Sequence, residues 1–236
     1  MSCSFPIHQG EIDVSPEEVD YNPARLEQLD AHFQKMIQSK KIQGASYLLS
    51  RDGKIFAHRS MGRLRFDHDT AQLMPDSIRK IYSITKVFTA VSVMKLVEDG
   101  FLYLNQPVMT ILEEFNTPVH SKIKIIHLLT HTAGISPSSG YFREPYPVER
   151  EWWKASDWIK EAISGPVCAP PGEAWIYSSV GYAILGEIIS RVSGLHCEEY
   201  IRKNLLEPLG MNDTCFDLPE EHLERTCFVW PWEREE

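Results

Sequence analysis

Nowhere in the sequence do about 18 apolar residues follow one another, so no membrane-spanning helix is expected. Basic residues are also scarce. Lys and Arg number 24 against 33 Asp and Glu, a formal net charge of −9, which argues against nucleic acid or an anionic membrane as partner. Five cysteines (Cys3, Cys168, Cys197, Cys215 and Cys227) are scattered without C-x-x-C spacing, which points away from a disulfide framework or a zinc site. Reduced thiols are the simplest reading. The first twenty residues lack the basic start and apolar stretch of a signal peptide, so a cytoplasmic location is expected. There is no internal repeat and no low-complexity tract. What remains is a chain of 236 residues, 43% hydrophobic and 11% aromatic, long enough to bury a core and too apolar to be mainly disordered.

Residues 1–22 are polar and read as a loose lead-in. Asn22-Pro23 then opens a helix, with Leu26, Leu29, Phe33 and Ile37 at helical spacing. Strands are expected over 45–50 and 54–59, joined by Arg51-Asp52-Gly53, because a D-G pair between two apolar runs is a hairpin signal. Two strands cannot make an independent sheet, and the sequence after residue 217 offers little to join them. Residues 83–99 read as a largely buried helix whose apolar face is Ile84, Val87, Phe88, Val91, Met94 and Val97, stopped by Gly100. Further helices are expected over 121–131, 152–164, 181–192 and 197–209, with Ser121 as an N-cap and a loop over 135–150.

The chemistry begins with Ser83-Ile84-Thr85-Lys86. A serine hydroxyl is a poor nucleophile until a base takes its proton. Residues three apart on a helix share a face, so Lys86 can sit beside Ser83, and burial would make a lysine a better base. S-x-x-K also occurs at Ser77-Lys80, Ser92-Lys95 and Ser121-Lys124. Only Ser83 opens a long apolar helix directly after a short extended segment, where the helix dipole favours developing negative charge. A second candidate is Tyr177-Ser178-Ser179, since a tyrosine near a lysine loses its proton more easily and can act as a general base. Tyr103-Leu104-Asn105 is a literal Y-x-N but reads as a turn before Pro107. His127 and His131 lie four apart without the glutamate of H-E-x-x-H, and no metal is expected. Tyr141, Phe142, Tyr146, Trp152, Trp153 and Trp158 read as inter-helix packing, and Glu113 and Glu114 as a solvated face.

Four stretches taken together resemble the serine β-lactamase and penicillin-binding superfamily, in particular its class C-like branch with D-alanyl-D-alanine carboxypeptidases and family VIII carboxylesterases. They are Ile81 to Lys86, His127-Leu-Leu-Thr-His131-Thr-Ala-Gly134, Pro171-Gly172-Glu173 through Tyr177-Ser178-Ser179 to Tyr182, and Glu207-Pro208-Leu209-Gly210-Met211. Their order and spacing match the family across residues 24–216. The resemblance implies a mixed α/β fold, with an antiparallel sheet, a helical domain and the site between them. It divides the chain into an N-terminal lead-in (1–22) and a β-lactamase-like domain (23–236). Within that domain, 23–82 would form the α/β part, 83–216 the nucleophile helix and helical region, and 217–236 a partial return segment.

The same resemblance implies Ser83 as acylated nucleophile, Lys86 as its partner, Tyr177 as general base and Ser179 as a substrate-binding residue, with the Ser83 N–H as half of an oxyanion hole. The implied substrate is a small-molecule ester or lactam, with no cofactor, nucleic acid or membrane partner. Ser179 stands where many relatives have Asn, which carries both a donor and an acceptor. That favours a carboxylesterase over a β-lactamase or carboxypeptidase, and a non-catalytic binding or regulatory relative is the third alternative. No K-T-G or H-x-G occurs in the last fifty residues. The chain therefore resembles the first two-thirds of a longer protein, with an incomplete sheet whose open edge would invite self-association.

Overall fold

A computed structural model of the protein describes residues 5–66, 68–135, 158–164 and 167–229. The chain divides into two compact units. One holds residues 1–80 and 217–236, the other 81–216.

The first unit is built on an antiparallel sheet. Strand β1 (Ile7–Gln9) precedes helix α1 (Pro23–Gln38), followed by β2 (Gly44–Arg51), β3 (Lys54–Arg65), β4 (His68–Gln72) and β5 (Ile78–Arg79). The expected hairpin is present and longer than the apolar runs suggest. Asp52 and Gly53 turn with φ of +51° and +76°, the doubly positive pair that matches strand twist in a two-residue loop. β3 pairs with β2 on one side, and with β1 and β4 on the other, so among the described residues β2 is an edge strand.

The hairpin thus gains its neighbours from segments that look too short or too polar to be strands. Residues 5–22 are not a loose lead-in over their described part. Ile7–Gln9 adds main-chain bonds to β3, and Val14, Val19 and Tyr21 pack on the core of Leu26, Phe56 and Ala57. Nor is the return segment without order. Strand β6 (Thr226–Cys227) runs parallel to β5, and Gln43 donates to the Phe228 carbonyl at 3.2 Å.

Helix α1 is capped by the Asn22 side chain, which accepts the Ala24 N–H at 3.0 Å, with Pro23 in the first turn. It buries Leu26 and Ile37 as its spacing predicts, but it also buries Asp30. That carboxylate accepts the Tyr47 hydroxyl at 2.7 Å and is paired with Arg59. Burial, and then the hydrogen bond to Asp30 and its charge, push the Tyr47 phenol well above its ordinary range.

The second unit is helical. α2 (Thr85–Glu98), α3 (Ile125–Leu129), α4 (Trp158–Ala162), α5 (Ser179–Ser193) and α6 (Cys197–Ile201), which continues as a π-turn over Arg202–Leu206, surround one apolar core. Val93, Leu96, Val108, Phe115, Leu128, Ile184, Leu185 and Ile188 belong to it. α5 is the central element: its apolar residues recur at helical spacing and Gly194 ends it in the left-handed conformation.

Helix α2 departs from expectation. Most of the face that the spacing marks as buried is open: Ile84 is 61% exposed, Val87 59%, Val91 42% and Met94 45%, while Phe88 is half-buried and Val97 packs against the core. The buried face is Thr89, Ser92, Val93 and Leu96, turned toward α5 and α6. α2 is apolar on two sides, and periodicity selects the side with the larger side chains, whereas packing within the unit uses the smaller ones.

Three smaller differences follow. The helix expected over 121–131 shrinks to Ile125–Leu129, with Lys124 rather than Ser121 at its N-cap. Glu113 is exposed, but Glu114 is tied to Arg191 at 3.1 Å. Of the aromatic group, Trp158 packs against the core, while Tyr141, Phe142, Tyr146, Trp152 and Trp153 lie outside the described residues.

Candidate active site

Ser83 does not open the α-helix itself. It sits in the middle of a 3-10 turn, Tyr82–Ile84, on which α2 follows at Thr85. The residue before it, Tyr82, has φ of +45°, a left-handed conformation that a tyrosine enters only at a cost of about 1–3 kcal/mol. This bend leaves Ser83 exposed.

Two side chains converge on Ser83. The Tyr177 hydroxyl donates to Ser83 Oγ at 2.8 Å, and Lys86 Nζ donates to the same oxygen at 3.1 Å. Lys86 also donates to Ser179 Oγ at 3.2 Å. Residues from the turn before α2, its first turn and the entry to α5 therefore meet within one unit. Lys86 is half-buried rather than buried. Its ammonium lies 4.9 Å from the centre of the Tyr177 ring and 5.8 Å from that of Tyr182, a cation against two aromatic faces.

Tyr177 is placed by the helix that follows it. Ser178 is the N-cap of α5, with Oγ accepting the Gly181 N–H at 3.1 Å. This fixes the backbone one residue past Tyr177 and puts Ser179 in the first turn. Burial alone would push the Tyr177 phenol up. Hydrogen bonds from Lys86 and Ser83, the Lys86 charge and the Ser179 hydroxyl outweigh it and hold the phenol below the ordinary tyrosine value.

Two of the other S-x-x-K serines are placed away from this cluster. Ser77 Oγ accepts the Met74 N–H at 2.9 Å in a turn, and Ser92 is buried inside the core face of α2. Tyr103 belongs to a turn closed by the Gln106 N–H on its carbonyl at 2.9 Å. His127 and His131 do not share a helix face: α3 ends at Leu129, and His131 has φ of +57°. No group of three potential metal ligands exists among the described residues.

Sequence reasoning passed over the surroundings of Tyr177. His131 lies 4.5 Å from it between ring centres, and Trp175 6.3 Å. Gly134, in the same His-Thr-Ala-Gly stretch, has φ of +75°, and a Cβ there would lie 2.0 Å from the Ala169 carbonyl oxygen. The signal was present in the stretch His131-Thr-Ala-Gly134, whose close approach to the 169–178 segment only the fold reveals.

Comparison with known proteins gives concordant matches. An ML-236A carboxylate methylbutanoyltransferase of Penicillium citrinum is 28% identical over 89% of this chain and 55% of its own length. Esterase EstB of Burkholderia gladioli is 28% identical over 80% of this chain and 50% of its own. The octameric penicillin-binding protein homologue from Pyrococcus abyssi superposes with a TM-score of 0.74 at 31% identity, covering 86% of this chain and 47% of that one. The chain spans about half the length of the curated relatives it matches. The Beta-lactamase family model matches residues 29–231, and the chain belongs to that family.

Proposed function

We propose that the protein is a serine hydrolase that works through an acyl-enzyme and prefers carboxylic esters. The observation that carries this reading is the convergence of the Tyr177 hydroxyl and the Lys86 ammonium on Ser83 Oγ. Tyr177, as phenolate beside the Lys86 cation, takes the Ser83 proton. Ser83 Oγ bonds to the ester carbonyl carbon, and the carbonyl electrons move onto oxygen. The backbone N–H of Ser83 supplies one donor to that oxyanion. When the intermediate collapses, the bond to the alkoxide breaks and Tyr177 returns its proton to the departing alcohol. A second nucleophile, water in hydrolysis, repeats the sequence on the acyl-enzyme and frees Ser83.

Ester preference is supported by Ser179. Its hydroxyl is already held by Lys86, and a serine offers an amide less than an asparagine would. An esterase and a methylbutanoyltransferase among the relatives support acyl-group chemistry at this site. The test is intact-mass analysis after a fluorophosphonate, followed by turnover of a short-chain nitrophenyl ester beside a chromogenic β-lactam. A single adduct lost in Ser83→Ala, with faster ester than lactam turnover, is expected. An adduct that persists in Ser83→Ala overturns the assignment, and faster lactam turnover overturns the ester preference.

The proposal extends to self-association. Among the described residues β2 is an edge strand with Leu48 half exposed. The octameric homologue supports assembly of copies. Light scattering on the wild type and on Leu48→Lys should show oligomers that the edge-strand variant loses. A monomeric wild type would refute it.

A further inference from the structure

His131 has no part in the steps above, yet its surroundings are constructed around Tyr177. Its carbonyl accepts the Ile176 N–H at 2.7 Å, and its Nδ1 accepts the Ser178 N–H at 3.1 Å. The residues before and after Tyr177 are thus both fastened to one histidine. The ring also lies against Tyr177, 4.5 Å between centres and tilted by 34°. On its other contacts are Tyr182 at 5.1 Å and the edge of Trp175 at 6.0 Å. Tyr182 is itself held, its hydroxyl donating to the Leu129 carbonyl at 3.0 Å. A non-glycine residue in the left-handed region is uncommon, and here it is what aims both the carbonyl and the ring at the 176–178 segment.

We propose that His131 is a positioning residue for the general base: through the Nδ1–Ser178 bond and the ring contact it fixes the direction from which the Tyr177 hydroxyl meets Ser83. This rests on the reading of Tyr177 as the base that acylates Ser83. An imidazole accepts at Nδ1 only while that nitrogen carries no proton, so the working tautomer holds its proton on Nε2. Protonation at Nδ1 would turn an acceptor into a donor facing the Ser178 N–H. It would also add a cation near the Lys86 ammonium. The titratable groups that face the ring are Lys86, Tyr177 and Tyr182. Burial, and then the Lys86 charge, hold the His131 imidazole below its ordinary value. The bond is therefore intact at neutral pH and lost on acidification.

Two substitutions separate positioning from bulk structure. His131→Asn keeps an acceptor oxygen near the place of Nδ1, tolerates the left-handed backbone and does not titrate. His131→Gly tolerates the backbone but offers neither acceptor nor ring. The readout is the rate of fluorophosphonate adduct formation on the full chain, followed by intact mass from pH about 5 to about 9. Below the His131 titration, the wild-type rate should fall more steeply than phenol protonation alone allows. The Asn variant should stay within a few-fold of wild type at neutral pH and lose the extra steepness. The Gly variant should be slower by about 10- to 100-fold, the scale of a misplaced reacting group.

A Gly variant at the wild-type rate, or an Asn variant that keeps the steep acid fall, would overturn the proposal. If the wild type gives no adduct at Ser83, the functional reading fails instead. The His131 contact is then still decided by nitrogen NMR of the labelled imidazole. A proton on Nε2 at neutral pH supports the contact, and one on Nδ1 overturns it.

Discussion

Replacing Tyr177 by Phe removes one oxygen and little else. The ring keeps its contacts with His131 and the Lys86 ammonium, at 4.5 Å and 4.9 Å. What is lost is the hydroxyl that donates to Ser83 Oγ at 2.8 Å. For the fold, this is one exposed hydrogen bond, worth at most about 0.5–1.5 kcal/mol. For acylation, it is the loss of the proposed general base, typically about 10²–10⁴ in rate, or about 2.7–5.4 kcal/mol on the barrier. Activity should therefore collapse while the urea midpoint moves little.

The pH profile gives a second handle on the same residue. The active form is the phenolate, so the wild-type rate should rise with pH and level off above the Tyr177 pKa. Lys86, Ser83 and Ser179 place that plateau below the ordinary tyrosine value. The Phe variant should lack this limb. Lys86→Ala should also be slow, and the double variant little slower than either single one, because the pair acts as a unit. The assay is the time course of fluorophosphonate adduct by intact mass. A Phe variant within a factor of about three of wild type, or fully additive losses in the double variant, would refute the reasoning.

Other outcomes follow from the same geometry. Ser77→Ala, Ser92→Ala and Ser121→Ala should each keep the adduct that Ser83→Ala loses, and an adduct mapped by peptide mass to any of the three would redirect the search. Asp30→Ala leaves Arg59 and the Tyr47 hydroxyl without their shared carboxylate in a mostly buried place, and should cost about 2–4 kcal/mol in urea unfolding; an unchanged midpoint would show that the pair contributes nothing. Gly134→Ala forces a Cβ against the Ala169 carbonyl in a left-handed backbone, and should lower stability by about 2 kcal/mol or more; calorimetry with an unchanged transition would contradict this.

Sequence was most informative where a local rule and a packing rule agree. Asn22-Pro23 starts α1, Asp52-Gly53 turns the hairpin and Gly194 ends α5, each through backbone chemistry carried by one or two residues. Motif singles out Ser83, Lys86, Tyr177 and Ser179, and the fold links them by hydrogen bonds, Tyr177 to Ser83, Lys86 to Ser83 and Lys86 to Ser179. Illegible features depend on partners remote in sequence. Three residues, Ile7–Gln9, become a strand only because β3 presents a free edge to them. Asp30, on α1, can be buried only because Arg59 on β3 and Tyr47 on β2 meet it. The two apolar faces of α2 cannot be ranked by period alone, since the face that packs is chosen by α5 and α6.

The parallel ladder between β5 and β6 has a consequence for the order of folding. It joins Ile78 to Thr226, while the β2–β3 hairpin closes across a two-residue turn. Closing a flexible loop of roughly 150 residues costs about 4 kcal/mol more entropy than closing the hairpin. A two-residue ladder cannot repay that from an unfolded chain. Once the helical unit has condensed, the long loop becomes a body of fixed span and the cost largely disappears. The hairpin and α1 should therefore form early during synthesis, the helical unit next, and the 226–228 segment last. A destabilised helical core would then first announce itself far from its own residues, as hydrogen exchange at Phe66 and Phe228, whose amides depend on that late return.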